Sequence, residues 1–181
     1  MKQKVKFALD VISNYNVDYA DVRLRQTNIE MIRTYNDVLK NVRNDDELGI
    51  GIRVLINGRW GFAATPHLDE DNISKTVKRA VNIAKAAAKI EQKPIILTKE
   101  KAVIDTFKTP IKKNPFDVSL SDKANILFNV YENAKKVKKV KKVDGYMYFH
   151  RIHQQFGNTE GSQLENDIYM SGSSYEITAV G

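Results

Sequence analysis

The stretch that most constrains this fold runs from Gly49 to Thr65, G-I-G-I-R-V-L-I-N-G-R-W-G-F-A-A-T. Asn57-Gly58 is the preferred pair for a two-residue type I′ turn, because both central residues need positive φ. A turn there fixes the register: Ile56 opposite Arg59, Leu55 opposite Trp60, Val54 opposite Gly61, Arg53 opposite Phe62, Ile52 opposite Ala63 and Gly51 opposite Ala64. Alternation then puts Ile50, Ile52, Val54 and Ile56 on one face, against the small Gly61 and Ala63. The other face sets Gly51, Arg53 and Leu55 against Ala64, Phe62 and Trp60. Large side chains meet small ones, so the cross-strand pairs pack without collision. Both faces are largely apolar, which predicts a hairpin in the interior of a sheet, covered on each side. Arg53, the one charge in this apolar strand, is predicted to stack on Phe62 or to pair with an acidic residue.

The rest of the chain supplies the other elements. Val5, Ala8, Leu9 and Ile12 have helical spacing and predict a helix over 2–13. Alternation predicts strands over 19–25 and 29–35, with Thr27-Asn28 as a turn between them. The polar 36–47 stretch, ending Asn44-Asp45-Asp46-Glu47, reads as a loop. Asp69 is the predicted N-cap of a helix over 70–91, with Leu68 and Ile73 as its hydrophobic staple. Its inner face is Ile73, Val77, Ala80, Val81, Ala84, Ala87 and Ile90. Residues 94–118 hold three prolines and predict an irregular crossing segment. Ser119 or Ser121 caps a third helix running to about Val140, with Ile126, Val130, Ala134 and Val137 inward and Leu127 and Tyr131 widening that stripe. Strands follow over 146–156, 164–170 and 175–180, separated by turns at 157–161 and at Ser171-Gly172-Ser173. The last strand is apolar up to Gly181, which predicts that further structure follows it.

Composition limits the chemistry. Apolar residues make up 42% of the 181 and charged residues 28%, as in soluble globular proteins. No apolar run approaches the ~20 residues needed to cross a bilayer. The N-terminus has no secretory h-region. With no cysteine, disulfides, thiolate nucleophiles and cysteine zinc sites are excluded, and a cytoplasmic location is expected. The net charge of +7 comes largely from Lys135 to Lys142, six lysines in eight positions. That run reads either as a phosphate-binding patch or as a solvated helix C-terminus, where cations oppose the helix dipole. The second reading is favoured, because neither aromatics nor arginines interleave with the lysines. The only histidines are His67, His150 and His153. The last two sit three apart on a strand and point to opposite faces, so a shared metal is not expected. There is no G-x-S-x-G elbow, no dinucleotide fingerprint and no P-loop. No residue is assigned a catalytic, cofactor-binding or metal-binding role.

Tyr19-Ala20-Asp21-Val22-Arg23-Leu24, Gly49-Ile50-Gly51-Ile52-Arg53-Val54-Leu55 and Gly58-Arg59-Trp60-Gly61-Phe62-Ala63-Ala64-Thr65 resemble the N-terminal region of the TldD/PmbA family. Asn158-Thr159-Glu160-Gly161, followed by an apolar strand, resembles that family's N-S-x-G turn. The resemblance runs over essentially the whole chain. It implies a cytosolic protease component acting on peptides or unfolded proteins, in a family once described as modulators of DNA gyrase. By resemblance, TldD-type members hold zinc through an H-E-x-x-x-H motif and a distant cysteine. PmbA-type members lack the motif and pair with TldD-type partners. This sequence contains neither the motif nor a cysteine, so no catalytic or metal residue carries over.

The expected fold is α+β, a mostly antiparallel sheet covered by helices. The expected division is an N-terminal α+β domain over 1–118 and, over 119–181, a helix plus three strands that begin a second, incomplete sheet. The expected function is that of the non-catalytic N-terminal domain of a zinc metallopeptidase, with roles in dimerisation and in shaping substrate access. Zinc is expected only in the C-terminal domain of catalytic members. Expected partners are a second TldD/PmbA-type subunit, as homodimer or heterodimer, and a peptide substrate, with no membrane. A nucleic-acid-binding or regulatory module using the lysine run, and a structural interaction domain without an enzymatic parent, are the alternatives.

Overall fold

The structure is a computed structural model that describes residues 2–90 and 92–181. In chain order the elements are α1 (Lys2–Ile12), β1 (Tyr19–Tyr35), β2 (Val38–Ile56), β3 (Arg59–Thr65), α2 (Glu70–Ala87), β4 (Ile104–Lys108), a 3-10 turn (Pro115–Asp117), α3 (Leu120–Ala134), β5 (Val140–Asn158) and β6 (Gln163–Ala179). The strands form one six-stranded sheet in the order β3-β2-β1-β5-β6-β4. It is mostly antiparallel, with β4 and β6 a parallel pair, so the α+β class holds. The chain forms two compact units, and β1, β2, β5 and β6 are long enough to contribute to both.

The first unit comprises Met1–Gln26, Glu47–Lys108 and His153–Asp167. Its core follows from alternation on the strands and 3.6-residue spacing on the helices. Ala20, Val22 and Leu24 of β1 and Ile50, Ile52, Val54 and Ile56 of β2 meet Val5, Ala8 and Ile12 of α1 and Ile73, Val77, Ala80, Val81 and Ala84 of α2. The β2–β3 register is the one the Asn57-Gly58 turn dictates, from Ile56 opposite Arg59 to Gly51 opposite Ala64. Both turn residues have positive φ, 50° and 68°. The expected interior position of the hairpin is corrected: β3 is an edge strand, and Phe62 is 59% exposed. Only the Gly61–Ala63 face lies under a helix. Asp69 caps α2 as expected, its Oδ1 accepting the Asn72 N–H at 2.9 Å. The helix stops at Ala87, short of the expected 91, and Ile90 is exposed. The chain leaves it to be tied to the hairpin. Arg59 donates to the carbonyls of Ile90, Gln92 and Lys93, and the Ile95 N–H donates to Gly58 O at 3.0 Å.

The second unit comprises Thr27–Asp46, Thr109–Ile152 and Ile168–Gly181. Ile32, Leu127, Met147 and Phe149 form its core, with Phe116 packed against them. Several sequence expectations are corrected here. Thr27-Asn28 is not a turn, because β1 runs through it. The polar 36–47 stretch is not a loop: Asn36-Asp37 is a tight turn, Asn36 having φ 53°, and β2 begins at Val38. Its backbone is paired in the sheet, most of its polar side chains are exposed, and Asp45 pairs with Arg43. Ser171-Gly172-Ser173 lies within β6, so the predicted strands 164–170 and 175–180 are one. Gly172 is there because the Tyr148 ring lies where a Cβ would go, at 2.5 Å. β5 and β6 extend the sheet that holds β1 and do not begin a second one. The segment 94–118, read as irregular, contains β4.

Candidate functional site

The charged strand residue Arg53 is fully engaged. Its Nε and Nη2 donate to Asp21 Oδ2 at 2.8 and 2.6 Å. Its guanidinium carbon lies 4.3 Å from the centroid of the Trp60 ring, so the stacking partner is Trp60 and not Phe62. Tyr19 meets Trp60 edge-on at 5.9 Å. Burial, the largest influence, pushes the Tyr19 phenol up, against the opposing hydrogen bond from Asn158. Asp21 is 2% exposed although it points away from the helices, because arginines and aromatics cover it. The cluster is a joint that ties β1 to β2 and β3.

The Asn158–Gly161 turn completes that joint. Asn158 Oδ1 accepts the Ser162 N–H at 2.8 Å. Gly161 has φ 94°, a conformation that favours glycine. Thr159 clamps β1: its N–H donates to Ala20 O at 2.9 Å, and its Oγ1 accepts the Ala20 N–H at 3.0 Å.

The histidines do not assemble a metal centre. His153 Nε2 lies 2.9 Å from Glu165 Oε1, and the other oxygen of that carboxylate pairs with the Lys2 ammonium at 2.9 Å. Lys2, then His153 and Gln155, hold the Glu165 carboxyl at about 2. An ammonium on the same carboxylate opposes a cation. His150 Nε2 is buried with no hydrogen-bond partner among the described residues, and His67 lies in the turn before α2. Among the described residues no three histidine, cysteine, aspartate or glutamate side chains are grouped to hold a metal. The residues present do not fit a zinc site.

The lysine run lies beyond α3, which ends at Ala134. Lys135 is the C-cap of that helix, Lys136, Lys138 and Lys139 form the turn that follows, and Lys141 and Lys142 already belong to β5, so the run is not a helical end reaching Val140. Lys135 pairs with Glu132 and Lys142 with Asp144, both at 2.6 Å. Their cations also lie over the Tyr131 and Tyr35 rings. The predicted inner stripe of α3 is also displaced. Ile126 and Val137 are exposed, and the buried positions are Lys123, Ala124 and Leu127, of which only Leu127 is in the predicted stripe. Lys123 is 2% exposed, pairs with Glu30 at 2.5 Å and lies over the Phe149 ring. Sequence reasoning missed this pair, since each residue reads as a surface charge.

In the first unit, α1, β4, β5 and β6 enclose a cleft of ≈ 330 Å³. Val5, Leu9, Leu164 and Ile104 give it apolar walls, and Lys6, Asp105 and Gln155 add polar groups. Gly157 lets α1 close over the strands, because a Cβ there would lie 2.9 Å from Val5 Cγ1. The cleft's α1, β4 and β5–β6 segments are far apart in sequence, and no local pattern announces them.

Residues 20–84 match the model of the first domain of PmbA/TldA metallopeptidases. A protein of Methanocaldococcus jannaschii named as a metalloprotease is 31% identical over 153 residues, 83% of this chain. The chain belongs to the TldD/PmbA family. It spans 33% of that relative's length. Solved structures share the fold. A candidate modulator of DNA gyrase from Bacteroides thetaiotaomicron has a TM-score of 0.78 and 16% identity, over 99% of this chain and 41% of that one. TldE from Thermococcus kodakarensis has a TM-score of 0.59 and 13% identity, over 100% of this chain and 39% of that one. The resemblance in the sequence is therefore upheld. Among the described residues no helix is long and apolar enough to cross a membrane.

Proposed function

We propose that this chain is the N-terminal, non-catalytic domain of a TldD/PmbA-type metallopeptidase acting on peptides or unfolded proteins. The observation that carries the reading is the 31% identity, over 83% of the chain, to a protein named as a metalloprotease. The domain's work is to pair with a TldD/PmbA-type subunit and to shape the route to a zinc site that other residues supply. Its own charged side chains support this. Asp21, Arg53 and Glu165 are committed to ion pairs within the fold. The absence of cysteine fits a cytoplasmic protein.

The test mixes the purified chain with a TldD-type catalytic subunit and follows association by size exclusion with light scattering. Zinc content and hydrolysis of an unfolded protein are measured alongside. The chain alone is expected to hold no stoichiometric zinc and to cleave nothing, and to co-elute with the catalytic subunit. Stoichiometric zinc in the chain alone, lost on changing His150 and His153, overturns the reading. Failure to associate with any TldD/PmbA-type subunit removes the pairing role. A steep salt-dependent affinity for DNA would favour the lysine-run alternative instead.

A further inference from the structure

The cleft between α1 and the β4, β5 and β6 strands has a use that the family assignment does not supply. Lys6 lines it on the α1 side and Asp105 on the β4 side. Among the described residues neither makes an ion pair, with each other or with anything else. Asp105 uses one oxygen, Oδ1, which accepts the Thr106 N–H at 2.7 Å, and Oδ2 has no recorded partner. The neighbouring Lys2 and Glu165 are, by contrast, already paired at 2.9 Å. The cleft thus presents one spare cation and one spare anion, with the apolar Val5, Leu9 and Leu164 among its walls. Gln155 adds an acceptor to that wall. It is 5% exposed, its Nε2 donates to Glu165 and its Oε1 has no partner.

We infer that this cleft binds a short peptide with free termini and an apolar side chain. The carboxylate sits against Lys6, the ammonium against Asp105 and the side chain against Val5 and Leu9. A net-anionic or net-cationic ligand would leave one wall charge unmatched, whereas a zwitterion matches both. The volume lies at the small end of the ~300–1,000 Å³ range of ligand pockets, which suits a dipeptide. The inference rests on the residues of the cleft alone. The peptidase reading adds only that such ligands are what peptide hydrolysis releases.

The test is titration of the whole chain with L-leucyl-L-leucine, followed by amide chemical shifts and calorimetry. Saturable binding is expected, with shifts centred on α1 and β4. The methyl ester, which removes the carboxylate, and the N-acetyl form, which removes the ammonium, should each bind about tenfold more weakly, or about 1.4 kcal/mol. In K6Q the penalty for the ester should vanish while that for the acetyl form remains. In D105N the reverse should hold. Both substitutions are at exposed side chains, and an unchanged circular dichroism spectrum shows that the fold is kept. Lack of saturation, equal binding of the doubly capped dipeptide, or penalties that persist in both variants overturns the inference. None of these outcomes bears on association with a catalytic subunit, so the two readings fail separately.

Discussion

Replacing Gly61 by alanine should be the most damaging single-methyl change in the first unit. A Cβ at Gly61 would lie 2.0 Å from Ala80 O, 2.5 Å from Ala84 N and 2.9 Å from Ala84 Cβ. Non-bonded heavy atoms settle at about 3.5–4.0 Å, so α2 must retreat by roughly 1 Å or more. None of these obstacles is the free end of a flexible side chain. Ala80 O and Ala84 N are helix backbone, and the helix has to move as a body. The face that moves carries Ile73, Val77, Ala80, Val81 and Ala84, all fully buried. A gap of 0.5–1 Å forfeits about a quarter to a half of each dispersion well. Over-packing typically costs about 1–3 kcal/mol, and displacement of a whole buried helix face puts G61A at about 3–5 kcal/mol. That is a large part of the ~5–15 kcal/mol by which domains are stable. The φ of Gly61 is not positive, so the cost is steric and not conformational. Two controls isolate it. G157A meets only the side-chain ends Val5 Cγ1 and Leu9 Cδ1 near 3 Å and should cost about 1 kcal/mol. G49A has 3.4 Å to its nearest neighbour and should be close to neutral. Urea unfolding at constant m measures all three. If G61A loses no more than G157A, the close approach of α2 to β3 is not what fixes glycine there.

The buried Lys123–Glu30 pair should behave asymmetrically. K123A should cost about 3–5 kcal/mol in urea unfolding by stranding Glu30, while K123M with E30L should stay within about 1 kcal/mol of the parent. Equal losses from the single and the double variant would contradict this. R53K keeps the charge but loses the stacked, two-nitrogen grip on Asp21 and should cost about 1–2 kcal/mol, with a change in Trp60 fluorescence. An unaltered emission spectrum would show that the stack is not kept in solution. The folded Glu165 carboxyl titrates near about 2, below its ordinary 4.5. Its stabilisation is therefore full above the ordinary value and disappears as the pH falls toward the folded one. With Lys2 75% exposed, water screens the pair, and the amount is about 1 kcal/mol or less. E165Q should flatten the acid limb of the stability profile, and a limb of unchanged slope would locate the titration elsewhere.

What the sequence disclosed depended on whether a feature was local. Asn57-Gly58 specifies its own backbone, and two strands joined by two residues can pair in only one register, so the hairpin was legible residue by residue. The Asp69 cap was legible for the same reason, since its hydrogen bond closes within three positions. Where a segment's partner is distant, composition misled. Asn44 to Glu47 is polar enough to read as a loop, yet its backbone is paired in the sheet next to β1 and Asp45 pairs with Arg43. Lys123 shifted the reading of α3, because a periodicity count treats lysine as outward-facing. Only Glu30, 93 positions away, makes its burial tolerable. The position of β3 at the sheet edge could not be read either. Trp60 and Phe62 look like core residues, but Trp60 covers an arginine and Phe62 faces water.

The residues that carry the family likeness are also the ones that hold the sheet together. Tyr19-Ala20 meets Asn158-Thr159 across four hydrogen bonds, Asp21 grips Arg53, and Gly61 admits α2. Each of these side chains or gaps is already occupied by another part of the fold, so the pattern has a structural reason in this chain. Lys6 and Asp105 lie outside every one of those blocks. They are exposed, cost nothing to exchange as far as packing is concerned, and line the cleft. A fold arranged this way can change what the cleft accepts without touching what holds the cleft in place. Exchanging the two charges, K6D with D105K, should therefore leave the urea midpoint unchanged and preserve dipeptide binding with the penalties of ester and acetyl caps interchanged between the two sites. A drop in the midpoint would show that the cleft walls are part of the joint after all.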